Sequence, residues 1–91
     1  MEAVTKRLSR HQLARLGQRA GLQRIQDRAD AVGISRSHLN KVECGAMKPS
    51  LEMVDRMSAA YHVSVEQIER ASRLAIRTLM QLKLDQADDV A

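Results

Sequence analysis

Along the chain, apolar positions recur at three and four, the spacing of helices with one buried face, and no stretch alternates as a strand would. Between Ile25 and Gly45 the small or apolar residues Ile25, Ala29, Val32, Ile34, Leu39 and Val42 are separated almost everywhere by polar ones. This predicts two short helices, about 25–32 and 36–44, joined by a turn at Gly33, which can take the left-handed conformation that ends a helix. Ala29 is small enough to let the helices approach, and Ser35 supplies an N-cap for the second. Its inner face is Leu39 and Val42, so Arg36, Ser37, His38, Asn40 and Lys41 point outward.

The flanks extend the pattern. Ser9 with Gln12 forms a capping box, with Leu8 and Leu13 as a staple, predicting a first helix with the stripe Leu13, Leu16 and Ala20 that ends at Gly21. Residues 1–7 are expected to fray or to form a basic arm. Pro49 and Ser50 open a fourth helix with Leu51, Val54, Met57 and Tyr61 inward. Ser64 with Gln67, and Val63 with Ile68, repeat the box and staple for a fifth helix. It is expected to run on, or restart after a bend near Ala71 and Ser72, as far as Leu84, leaving an acidic tail that frays. The seam Val65, Ile68, Ser72, Ala75, Leu79 and Leu82 is spaced near a heptad, and Ile76 and Met80 widen it.

Composition narrows the class. Ninety-one residues suffice for one compact domain and not two, and with Tyr61 as the sole aromatic the core must be aliphatic, which suits packed helices. The expected division is a domain over 1–71 that holds the two-helix unit and a C-terminal helical extension over 72–91. Residues 1–48 hold ten Lys and Arg against four Asp and Glu, net +6, and residues 49–91 hold five against seven, net −2. The positive half contains the two-helix unit, and a basic polar helix held outward suits a DNA major groove. No apolar run is long enough to span a membrane and no signal peptide is evident, so a soluble, cytoplasmic protein is expected. A single cysteine, Cys44, agrees with a reducing compartment.

The segment ISRSHLNKVECGAMKPSLEMVDRMSAAYHVSVEQI resembles the Cro and phage-repressor type (XRE-like) helix-turn-helix domain. It matches in the Glu-x-Gly after the recognition helix, the Pro-Ser-Leu start of the fourth helix and the small polar start of the fifth. The likeness covers roughly Leu8 to Ala71. It implies an all-α, five-helix lambda-repressor-like domain, here with an extended C-terminal helix. Two features depart from it: Arg28 stands where an apolar residue is usual, and the stretch from Gly21 to Gly33 is one residue longer than usual, the Gln expected at the start of the second helix falling on Ile25, with Gln26 one place later.

The resemblance also implies roles. Arg36, Ser37 and Lys41 read bases, with Asn40 and His38 as secondary candidates; an arginine contacts guanine O6 and N7 in a bidentate fashion. Ser35, Gln26, Arg24 and Lys48 are placed for phosphates, with Arg28 to reach phosphate, water or a carboxylate. Glu43 commonly pairs with an arginine on helix 1, but Gly17 aligns there; Arg19, Arg15 or Arg28 must serve instead, with Arg19 favoured.

His11, His38 and His62 lack metal-ligand spacing, and no phosphate loop, Cys–His cluster or carboxylate pair is evident. No enzyme activity, metal, cofactor or small molecule is expected. The expected function is a transcriptional repressor, of the kind encoded by mobile elements and acting on its own gene, that binds double-stranded DNA as a homodimer through Ile68, Ser72, Ala75, Ile76, Leu79 and Leu82. The alternatives are an antitoxin that masks a toxin partner, and a protein-only adaptor that sequesters another regulator.

Overall fold

The computed structural model describes the backbone of residues 11–90 and the side chains of 11–85. Within them lie five helices: α1 (Gln12–Arg19), α2 (Ile25–Val32), α3 (Arg36–Glu43), α4 (Leu51–Tyr61) and α5 (Val65–Val90). Helix α1 packs on α4 and α5, and α2 packs on α3 and α4. Leu13, Leu39, Val42, Met57 and Ile68 are fully buried between them. Each such side chain contributes on the order of 1.5–3 kcal/mol relative to exposure, so this aliphatic centre suffices without further aromatics.

Local chemistry sets most boundaries. The Ser50 hydroxyl accepts from Met53 N–H at 3.1 Å, and Ser64 and Gln67 exchange both bonds of the box at 3.1 and 3.0 Å. Helix α1 instead begins at Gln12, with extended His11 as its N-cap and no side-chain cap. The Ser9 box and the Leu8 staple lie outside the described residues. In α4 the buried stripe is Met53, Val54, Met57 and Tyr61, and Leu51 is exposed. At 100° per residue Leu51 falls well to one side of that stripe, on the helix's first turn.

Helix α5 runs unbroken through Ala71 and Ser72, with no restart there, and continues beyond Leu84 to Val90. Its first part closes the core with Ile68, Ala71 and Ser72, all buried. Ile68 and Ser72 are thus committed to their own chain, which removes them from the expected dimer surface. From Arg77 to Asp85 only Leu79 is even half-buried. Gly45, with φ 90°, fixes where α5 runs: a Cβ there would lie 2.5 Å from the Ala75 carbonyl carbon and 2.8 Å from Ile76 N. No side chain fits between the end of α3 and the α5 backbone.

Candidate DNA interface

The two-helix unit forms as the residues dictate. Gly33 ends α2 at φ 85°, donating to the Ala29 carbonyl at 2.8 Å, and Ala29 itself is fully buried where the helices cross. The Ser35 hydroxyl caps α3 by accepting from His38 N–H at 3.1 Å. Leu39 and Val42 then pin the helix to the core, leaving Arg36, Ser37, Asn40 and Lys41 exposed. Successive residues are 100° apart, so these four occupy one arc of about 140°. It carries two cations, an amide and a hydroxyl, donors suited to the acceptor-rich major-groove edge of a base pair. His38 is half-buried at the arc's margin and has less of its ring to offer.

The turn after α3 is tied back to it, with Ala46 and Met47 N–H both donating to the Lys41 carbonyl at 2.8 and 3.1 Å. This carries exposed Lys48 close behind the helix, before buried Pro49. At the start of α2 the polar side chains are already engaged. Arg24 lies 3.4 Å from the Asp27 carboxylate, and Gln26 donates to Asp30 at 2.9 Å. Asp27 and Asp30 offset the charge there, so Arg36, Lys41 and Lys48 are the cations of the unit with no carboxylate partner among the described residues.

Arg28 is not available to phosphate. Its side chain is buried, 5 % exposed, against Glu43 at 4 %. Nε donates to Glu43 Oε2 at 2.7 Å and Nη2 to Oε1 at 3.2 Å, a bidentate fork, while Nη1 donates to the carbonyls of Leu22 and Gln23 at 3.1 and 2.8 Å. Glu43's partner is thus Arg28, and Arg19, which the sequence favoured, is exposed. A charge at a normally apolar position is tolerable because each of its three nitrogens donates to an acceptor, two of them to the carboxylate. The group ties the α1–α2 turn, α2 and the end of α3 into one unit.

The residue that permits this is Gly17. A Cβ there would overlap Arg28 Cδ and come within 3.0 Å of Arg28 Cγ and Tyr61 Cζ. In the sequence the missing arginine at 17 and the surplus one at 28 read as separate anomalies; together they were the signal. Tyr61 lies against the pair with its hydroxyl buried and without a hydrogen-bond partner among the described residues. Burial, reinforced by Glu43 and opposed by Arg28, pushes its pKa well above the ordinary 10.0.

Among the described residues no three His, Cys, Asp or Glu side chains converge to hold a metal ion, and no helix is long and apolar enough to cross a membrane. What the fold does present is a capped, basic helix held outward on a rigid two-helix support, the architecture of a DNA-binding domain. A family profile described as helix-turn-helix matches residues 12–68, and the chain belongs to that family, of the Cro and XRE-like type. It is a DNA-binding regulatory domain. No curated protein and no solved structure shows significant similarity to the chain.

Proposed function

We propose that this protein is a sequence-specific transcriptional repressor that binds a near-palindromic operator as a homodimer and controls its own gene. The observation that carries the reading is the exposed arc of Arg36, Ser37, Asn40 and Lys41 on a helix whose opposite face is fully buried. Arg36 and Lys41 take guanine O6 and N7, Ser37 and Asn40 adapt to neighbouring bases, and Lys48 with the amides at the start of α3 holds phosphate. Arg24 and Gln26 stay peripheral until they exchange their carboxylate partners for phosphate. The second subunit is supplied by the part of α5 beyond Ser72, where Ala75, Ile76 and Leu79 are half-buried and Leu82 is exposed. A two-fold dimer sets two recognition helices about one duplex turn, ~34 Å, apart.

Selection of bound sequences from random duplex DNA tests the reading, and a palindromic consensus is the expected result. Arg36→Ala should then cost about 1–3 kcal/mol on the selected operator and relax one base pair per half-site, while Lys48→Ala weakens all duplexes alike and lowers the salt slope by about one. No enrichment over the starting pool would overturn the proposal. The antitoxin alternative uses the same projecting end of α5, with Met80 and Leu84 both 60 % exposed. It requires amides from Leu74 to Leu82 to exchange freely until a toxin orders them; protection like that of α4 in the isolated protein favours the repressor.

A further inference from the structure

Two hollows lie along the seam between α1 and α5. One is apolar, lined by Leu74, Ala75, Leu79 and Leu82 of α5 with Cys44 from the end of α3. The other is basic, lined by Arg15 and Arg19 of α1 with Gln67 and Arg70 of α5. Gln12 borders both and His11 also lines the apolar one, so the two adjoin along one face of α5 as one channel, apolar along residues 74–82 and basic along 67–71. The helix that lines this channel carries the complementary order in its own sequence. Its projecting apolar residues end at Leu84 and are followed by Asp85, Asp88 and Asp89.

We propose that the channel is filled by α5 of a second copy running antiparallel, its apolar stretch in the apolar hollow and its acidic end among the arginines. This specifies the homodimer proposed above and rests on it. Symmetry sets the register. In a two-fold pair the same segment is host and guest, so the axis passes through the middle of 74–82, at Thr78. Seven residues beyond Thr78 is Asp85, and seven before it is Ala71; eleven beyond is Asp89, and eleven before is Gln67. The acidic end of one helix is therefore level with the residues that border the basic hollow of the other. A parallel pair would instead set the two acidic ends side by side and away from Arg19 and Arg70, which like-charge repulsion disfavours. The antiparallel pair also covers Leu79 and Leu82 and closes over Cys44.

Charge reversal with exchange tests this arrangement. One variant carries Arg19→Glu and Arg70→Glu; the other carries Asp85→Lys, Asp88→Lys and Asp89→Lys. Arg19, Arg70 and Asp85 are exposed, and circular dichroism of each variant checks that it folds. In sedimentation equilibrium each variant alone should dimerise about tenfold more weakly than wild type, because two symmetric clusters turn from attraction to repulsion. An equal mixture of the two should recover wild-type association, since each tail then meets a hollow of opposite charge. In the wild type, reaction of Cys44, the sole thiol, with a thiol reagent should slow as concentration rises through the dimer constant.

A wild type that stays monomeric at every concentration overturns both this proposal and the homodimer. A dimer that ignores the reversals, a mixture that does not recover, or equal Cys44 reactivity in monomer and dimer overturns the antiparallel clasp and leaves the homodimer standing. Faster Cys44 labelling of the monomer on deletion of residues 1–10 would make the chain's own N-terminal segment the occupant and overturn the proposal likewise.

Discussion

Cutting Arg28 back to alanine should damage the domain more than cutting Glu43, although the two side chains form one ion pair. Breaking a buried pair from one side costs about 3–5 kcal/mol, because an uncompensated charge stays behind. What stays behind differs. After Glu43→Ala the guanidinium keeps its bonds to the Leu22 and Gln23 carbonyls, so the loss should lie near ~3 kcal/mol, the lower end for a buried pair. After Arg28→Ala a carboxylate only 4 % exposed loses both donors, the Leu22 carbonyl loses its arginine donor, the Gln23 carbonyl keeps only a 3.3 Å bond from the Gln18 amide, and the space over Gly17 empties. That places the loss near ~5 kcal/mol, comparable to the whole stability of a small domain. Replacing both together, as Arg28→Met with Glu43→Leu, leaves no buried charge and should cost at least about 2 kcal/mol less than the sum of the single losses. Urea unfolding followed by circular dichroism and by Tyr61 fluorescence gives each value. Tyr61 is the sole aromatic and lies against the pair, so the two signals also test whether unfolding is one step. If Glu43→Ala proves the worse of the two, or if both cost less than about 1 kcal/mol, the pair is screened by solvent and this reasoning fails.

Two further tests concern the end of α4. His62 caps it at φ 58°, a left-handed conformation that costs an L-residue about 1–2 kcal/mol, and glycine returns about half of that gain as chain entropy. His62→Gly should therefore raise the thermal midpoint by an amount equivalent to about 0.5–1 kcal/mol, and a fall would show that the imidazole makes a contact of its own. Tyr61, with its pKa raised in the folded state, is protonated in both states below 10.0, and there its contribution is fully present. As pH climbs past 10.0 the unfolded chain releases the proton first, so stability falls with rising pH. Tyrosinate absorbance should appear together with unfolding, and its appearance in a still-folded protein would place the hydroxyl in solvent. Tyr61→Phe should remove this alkaline loss and leave neutral stability unchanged or slightly higher, since the hydroxyl has no partner among the described residues to lose.

The features legible in the sequence are those fixed within a few residues. Ser50 and the Ser64–Gln67 box start their helices where the sequence places them, and Gly33 and Gly45 end theirs, because caps and left-handed glycines act locally. The outward face of α3 follows from Leu39 and Val42 alone. What escaped depends on neighbours far along the chain. Leu51 fits a three-and-four repeat with Val54, yet the other helices meet α4 along a stripe that takes Met53 instead. Ile68 and Ser72 fit the same heptad as Leu79 and Leu82, and nothing in that spacing marks where the chain's own core ends. The division is set by the close approach of Gly45 to Ala75 and Ile76, a contact between residues thirty apart.

Arg28 and Gly17 show the same limit and also what lies beyond it. The family resemblance places the arginine that holds Glu43 on the first helix, and this chain holds Glu43 from the second. The two departures require each other. With any side chain at 17 the stem of Arg28 has no room, and with an apolar residue at 28 a glycine at 17 would leave the Glu43 carboxylate buried alone. Neither change is tolerable singly, so they amount to one change, the relocation of a buried cation across a helix contact. The new origin adds something: from α2, Nη1 also reaches the Leu22 and Gln23 carbonyls just ahead of Arg24, the N-cap of α2. One guanidinium thus fixes where α2 begins relative to where α3 ends. The spacing of those two points sets how α3 is held on the domain, so in the proposed reading a buried arginine orients the helix whose Arg36 and Lys41 are to meet the groove.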